Sequence, residues 1–326
     1  MTEYRNFDCV IVDEVSKATP PELILPLLKG KKIVLVGDHK QLPPMIGLET
    51  YSELVETLDV PKEDVAHIER SLFKELFDNA SDQQRSMLVK QYRMHPQIMM
   101  SINQFYQEKL ECAIKDPDQS RAHGFAPLFK EKTHLAWIDI PFKEEFYDLQ
   151  DDRKSSYNLC EVDVIENILM NMDKTWASKI AQGQEIKEVG IITFYSAQTE
   201  FLRQRLLNRS KEKEFLNLSL RIGSVDRFQA MEKKIIIVSL VRNNSRKDIG
   251  FAKKFERINV AFSRAKELLL IVGSSENFTD LSVAHSRSHR DAAEAYQKVF
   301  DIARLNGQIF SVADFSKPII VNPEQR

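Results

Sequence analysis

Short, largely apolar runs closed by polar turns recur along this chain, and stretches with apolar residues three and four positions apart separate them. Phe7-Asp8-Cys9-Val10-Ile11-Val12 reads as a buried parallel strand over 7–12, and Lys32-Ile33-Val34-Leu35-Val36 as a second, since both are short, β-branched and end in polar turns. Between them, Pro20-Pro21-Glu22 opens a helix that runs to Leu28. A helical period covers 67–79, with Ile68, Leu72, Leu76 and Phe77 on one face, and another covers 97–110. From about 115 to 158 the pattern breaks at Pro117, Gly124, Pro127 and Pro141, leaving one strand at 135–140. Helices are then expected at 159–173, 197–208, 255–265 and 289–305, and strands at 189–194, 221–225, 235–241 and 268–272. Alternating units with all-apolar strands predict an α/β fold whose parallel sheet is covered on both faces. In such folds ligands collect at the carboxyl ends of the strands.

Composition narrows the picture. At 326 residues, two domains are expected, and 43% hydrophobic residues are enough for real cores. The net charge of -2 excludes a globally basic chain, so any nucleic-acid contact must come from local patches. Cys9, Cys112 and Cys160 are far apart, which argues against a disulfide framework or a cysteine-based metal centre. No apolar run reaches the roughly 18 residues of a membrane span, and the N-terminal residues show no signal-peptide pattern. The expectation is a soluble, cytoplasmic chain with no membrane partner.

Five polar motifs interrupt the framework. Asp13-Glu14 closes the first strand, where Asp13 suits Mg²⁺ and Glu14 suits a base toward water; an acidic turn is the plainer reading. Val36-Gly37-Asp38-His39-Lys40-Gln41-Leu42-Pro43-Pro44 follows the second strand, and the Gln41 amide can both donate and accept. Gln91-Tyr92-Arg93-Met94-His95-Pro96 offers Arg93 as a phosphate fork and Tyr92 as a stacking ring, against a simple surface contact. Ser224 to Glu232 forms a loop between two strands, and Arg257 to Lys266 places Arg257, Val260, Ala261 and Arg264 on one helix face. The ten glycines are never five apart, so the chain contains no Gly-x-x-x-x-Gly-Lys-Ser/Thr phosphate loop.

Taken in order, these motifs resemble those of superfamily 1 helicases, nearest to the 5′-to-3′ subgroup of the nonsense-mediated-decay RNA helicase and the Okazaki-flap DNA helicase. The resemblance spans roughly residues 7–273, and Gly190 to Gln198 and Ser155 to Asn158 match further family segments. It implies a RecA-like P-loop NTPase fold: part of a first RecA-like domain over 1–88, a nearly complete second over 89–312, and a tail over 313–326. It implies ATP and Mg²⁺ as cofactors and single-stranded DNA or RNA as partner. By the same resemblance Asp13 holds the metal, Glu14 activates water, Gln41 senses the γ-phosphate, and Arg93 and Arg264 clamp it. Glu232 then lies near the ribose and Tyr92 near the adenine, while Ser224, Tyr195 and Gln198 face the strand. The family usually carries glycine where this chain has Ala230, which puts coupling between ATP and the strand in doubt.

The expected function is therefore the C-terminal portion of an ATP-dependent helicase, weakly active or inactive alone because the phosphate loop and the upstream half are missing. The alternative is a non-catalytic module that binds nucleic acid or a protein partner. A sheet cut before its phosphate-loop strand would also self-associate through residues 7–36.

Overall fold

The computed structural model describes residues 6–45, 50–51, 53–58, 60–61, 65, 70–208, 214–283 and 286–315. They divide into two units, Met1–Leu88 and Val89–Arg326.

In the first unit, β1 (Phe7–Val12) pairs in parallel with β2 (Gly30–Leu35), with Cys9 opposite Lys32 and Val12 opposite Leu35. The crossover is α1 (Pro20–Leu27). Thr19 starts it with a capping box, in which its N–H and hydroxyl both donate to the Glu22 carboxylate at 2.8 Å. Those two bonds hold the Glu22 carboxyl below its usual range. Val15, Leu23 and Phe73 make a small core, joined by Val12 and Leu35. The strands are not buried on both faces as their composition suggests. Ile11 is 69% exposed and Val34 41%, because one face of this two-stranded ribbon has no covering layer among the described residues. Of the helix expected over 67–79, α2 (Leu72–Asn79) is observed; Ser71 caps it by accepting from the Lys74 N–H at 3.2 Å. Ile68 lies outside the described residues.

The second unit opens with a small parallel ladder, β3 (Lys90–Gln91) on β4 (Glu111–Cys112), joined through α3 (Pro96–Asn103). The helix expected to 110 ends at Asn103, whose side chain accepts the Leu110 N–H at 2.8 Å across a turn with Gln107 and Glu108 left-handed. A short α4 (Pro117–Ser120) follows. The main body is a six-stranded, all-parallel sheet. Its strands are β5 (Leu135–Asp139), β8 (Lys187–Thr193), β9 (Leu218–Ser224), β10 (Lys233–Ser239), β11 (Ala265–Gly273) and β12 (Gln308–Ser311). Their spatial order is β12-β5-β11-β10-β8-β9. A two-residue pair, β6 (Leu149–Gln150) with β7 (Ser156–Tyr157), sits in the irregular stretch.

The remaining helices are α5 (Leu159–Ala181), α6 (Ser196–Leu206), α7 (Phe255–Phe262), α8 (Ser275–Thr279) and α9 (Arg287–Asn306). Ile165, Leu169 and Met172 of α5 pack on Ile191, Ile237 and Leu270 of the sheet, all fully buried. Such side chains each contribute about 1.5–3 kcal/mol on burial. α5 passes its expected end at 173 because Trp176 and Ile180 continue the apolar stripe. α7 stops at Phe262, three residues short, because Ala265 already opens β11. Within the stretch expected as a tail from 313, Phe315 is buried against Phe129 and Phe310.

Candidate functional site

The carboxyl ends of β1 and β2 are laced together. Val36 N–H donates to Val12 O at 2.8 Å, and Val15 N–H donates to Val36 O at 3.1 Å. Asp13 and Glu14 therefore leave the first strand beside the loop that leaves the second. Both are exposed. Glu14 is left-handed (φ 56°), and its N–H donates to Asp13 Oδ1 at 2.8 Å. A non-glycine residue in this region costs about 1–2 kcal/mol, so the turn is held against a strain.

Asp38 organises the second loop. It accepts the Lys40 N–H at 2.9 Å and the Gln41 side-chain amide at 2.8 Å, while its own N–H donates to Ser16 Oγ at 2.6 Å. The orientation of Gln41 is thus set by Asp38, and the two loops are tied through Ser16. Gly37 is required by this approach: a Cβ there would lie 2.8 Å from both Ser16 Oγ and Val15 Cγ2.

In the second unit, the loop carrying Tyr92 and Arg93 is fixed from three sides. The Gln91 side chain accepts the Arg93 and Met94 N–H groups, both at 2.9 Å, and donates to Met94 O at 2.9 Å. Arg121 donates to Arg93 O and Tyr92 O, both at 2.8 Å. His95 N–H donates to Lys266 O of β11 at 3.0 Å. Tyr92 is left 65% exposed.

Arg93 Nε donates to Glu232 Oε2 at 2.8 Å, and the other Glu232 oxygen pairs with Lys266. Burial pushes the Glu232 carboxyl up, but the hydrogen bonds from Lys266 and Arg93 outweigh it and hold it below its usual range. Arg264 is buried beside this cluster; its Nη2 donates to Ser263 Oγ at 2.9 Å and its Nη1 to Met231 O at 3.5 Å. Ala230, in the same loop as Met231 and Glu232, is left-handed at φ 61°.

Two expected strand-facing groups are placed differently. The resemblance turns Tyr195 and Gln198 toward a strand, and the structure buries both. Tyr195 Oη accepts the Phe251 N–H at 3.1 Å, and burial pushes its phenol up to about 12. Gln198 is fully buried: it accepts the Asn158 N–H at 2.8 Å and donates to Ser239 Oγ at 2.9 Å. Ser239 in turn donates to Glu161, whose carboxyl burial pushes up to about 8. In this structure both residues brace the sheet end. Ser224 is half-buried at the end of β9.

Sequence reasoning assigned no role to Asp38, Gln91, Arg121 or Lys266. The three-residue spacing of Asp38 to Gln41 and of Gln91 to Met94 was the available signal for two of them; Arg121 and Lys266 act from separate elements and left none.

One other polar cluster stands apart. His95, Asp118 and His134 bring ligand-type atoms within 4.8 Å of one another, and His95 Nε2 lies 3.0 Å from Asp118 Oδ1. The His95 and His134 rings are stacked, 3.5 Å between centroids and 16° from parallel. Ring lone pairs lie in the ring planes, so two stacked imidazoles do not converge on one ion. The cluster is read as packing. Burial lowers the His134 imidazole to about 4, and its Nδ1 bonds Glu267 O at 2.6 Å. Among the described residues no helix is long and apolar enough to cross a membrane.

Comparison with known proteins adds the following. A family profile described as an AAA domain matches residues 68–276, and a second with the same description matches residues 1–47. Helicase sen1 of Schizosaccharomyces pombe is 34% identical over 280 residues, covering 83% of this chain and 15% of the relative. ATP-dependent helicase upf1 of the same organism is 30% identical over 276 residues, covering 84% of this chain and 27% of the relative. DNA polymerase alpha-associated DNA helicase A, also from S. pombe, is 31% identical over 283 residues, covering 83% and 38%. The chain thus spans between 15% and 38% of the length of these three relatives.

Proposed function

The chain belongs to the AAA-domain family, among the superfamily 1 helicases of the Sen1 and Upf1 type, and on that premise we propose that it is the C-terminal portion of an ATP-dependent helicase that moves on single-stranded DNA or RNA. Its parallel sheet covered by helices fits a RecA-like fold. A soluble, cytoplasmic setting is part of the proposal and rests on the scattered cysteines.

The observation that carries the reading is the partly exposed Arg93–Glu232–Lys266 cluster, in which the loop bearing Arg93 is pinned by Gln91, Arg121 and β11. Arg93 is about one-third exposed, and an ion pair of that kind contributes only about 0–1 kcal/mol in water. Handing the guanidinium from Glu232 to a phosphate therefore costs little, and a phosphate can take its fork in two parallel bonds. Glu232 stays paired with Lys266 and is available to a ribose hydroxyl. Tyr92 offers an exposed ring for the adenine, while Arg264, buried in this structure, would have to leave Ser263 Oγ and Met231 O to reach a phosphate.

Asp13 fits Mg²⁺: it is an exposed hard-oxygen donor at the carboxyl end of a parallel strand, with one oxygen already spent on the Glu14 N–H. The ion, when bound, supplies positive charge to the triphosphate oxygens. Glu14 would take the proton of the attacking water, and Gln41, oriented by Asp38, would hold that water or the γ-phosphate.

The chain lacks the glycine-rich lysine loop that cradles the β-phosphate, so slow turnover is expected. Steady-state ATP hydrolysis tests this with and without single-stranded DNA or RNA. The expected rate is below about 1 s⁻¹, the low end of ordinary enzymes, and it falls further in Glu14→Gln. Turnover that ignores Glu14→Gln would remove Glu14 from the reaction and the proposal with it.

A further inference from the structure

The resemblance puts an aromatic ring at the strand through Tyr195, but that ring is buried. Its hydroxyl instead holds the backbone of a second aromatic residue that is not. Tyr195 Oη accepts the Phe251 N–H at 3.1 Å, and the two rings lie 5.6 Å apart. The approach is possible only because residue 250 is glycine. Gly250 is left-handed (φ +55°), and a Cβ on it would sit 2.2 Å from Tyr195 Oη.

Phe251 itself is 58% exposed. It is also held from below: the Arg257 guanidinium lies over its ring, 5.5 Å from the centroid, and Arg257 is 3.6 Å from Asp226, two residues past Ser224. Lys253 and Lys254 follow it after the buried Ala252 and are exposed. A large apolar ring kept in water, fixed at its backbone and flanked by cations, matches the elements of a base-stacking platform, in which π-faces take bases and lysines follow phosphates.

We propose that Phe251 is the residue on which a nucleobase of the bound single strand stacks, with Tyr195 and Gly250 as its positioning residues and Lys253 and Lys254 as phosphate partners. This rests on the strand-binding part of the function proposed above. Phe251 is not among the groups assigned to ATP, so its loss is expected to act through strand affinity.

The test uses the full chain and single-stranded oligonucleotides, with affinity from fluorescence anisotropy and stacking from quenching of 2-aminopurine placed along the strand. Phe251→Ala is expected to weaken binding about 5- to 100-fold and to abolish the quenching, with an unchanged salt slope. Phe251→Trp keeps both. Phe251→Leu, which retains apolar bulk but no π-face, behaves like alanine. The Lys253→Ala/Lys254→Ala pair instead lowers the salt slope by about 0.7 for each phosphate no longer neutralised. Thermal unfolding of each variant checks that the fold is intact. Strand binding by the wild type with Phe251→Ala or Phe251→Leu equal to it would overturn the stacking role and leave the proposed function standing. A wild type with no affinity for single strands would overturn both.

Discussion

Replacing Ala230 by glycine should stabilise this protein. The residue is left-handed at φ 61°, and its methyl is exposed, so the substitution removes no packing. An L-residue in this region costs about 1–2 kcal/mol through the contact of Cβ with the backbone carbonyl. Glycine relieves that cost, and its greater freedom in the unfolded chain takes back about 0.4–1 kcal/mol. The net gain is about 0.5–1 kcal/mol, which for a folded unit of this size raises Tm by about 1–4 °C. Urea and thermal unfolding of wild type, Ala230→Gly and Ala230→Val provide the assay. Glycine should raise the midpoint and valine, β-branched in the same conformation, should lower it. A midpoint unchanged or lowered in Ala230→Gly would refute the reasoning. The loop matters beyond stability, since Met231 O accepts from Arg264 and Glu232 holds Arg93. Strain at 230 is thus stored next to both arginines.

Acid should weaken the fold through His134. Its imidazole is lowered from 6.5 to about 4 by burial, so the folded chain keeps it neutral while the unfolded chain protonates it. The contribution is whole above pH 6.5 and is lost as pH falls toward 4, by about 1.4 kcal/mol per pH unit. His95 and His123 are lowered by burial in the same direction. Urea unfolding at pH 7 and pH 5 measures the loss, and His134→Gln should flatten it. Lys187 is buried over the Trp176 ring, 4.4 Å from its centroid, and pairs with Glu267. Glu267→Gln leaves that charge unpaired and should cost about 3–5 kcal/mol in denaturant unfolding, while Lys187→Met/Glu267→Leu should be close to neutral. The exposed face of Ile11 and Val34 should drive self-association, reduced by Ile11→Lys; light scattering that shows a monomer at every concentration would dispose of this.

The parallel sheet of the second unit was legible because Ile235 to Val238 and Leu268 to Val272 are unbroken apolar runs that only a doubly covered strand tolerates. β12 was not, since Gln308-Ile309-Phe310-Ser311 is four residues at an edge with only two apolar side chains, too little pattern to mark a strand. Asp13, Glu14 and Gln41 stood out because each follows a strand signal, and Arg93 because it lies in a motif of the family pattern. What orients them did not. Asp38 and Gln91 act through local hydrogen bonds, and Arg121 works on the backbone carbonyls of a distant loop, which no periodicity records. The burial of Tyr195 and Gln198 was hidden from the sequence for a related reason. A motif places residues at a strand end, but whether a side chain turns outward or back into the core is decided by partners such as Asn158, Ser239 and Phe251.

The proposed helicase function requires that nucleotide binding and strand binding be coupled. The direct test is the affinity for a single-stranded oligonucleotide, measured with no nucleotide and with a non-hydrolysable Mg·ATP analogue at millimolar concentration, in wild type and Arg93→Ala. The account predicts a shift in affinity of at least about 5-fold, the lower end of ordinary coupling energies, and its loss in Arg93→Ala. An affinity identical with and without the nucleotide would contradict it.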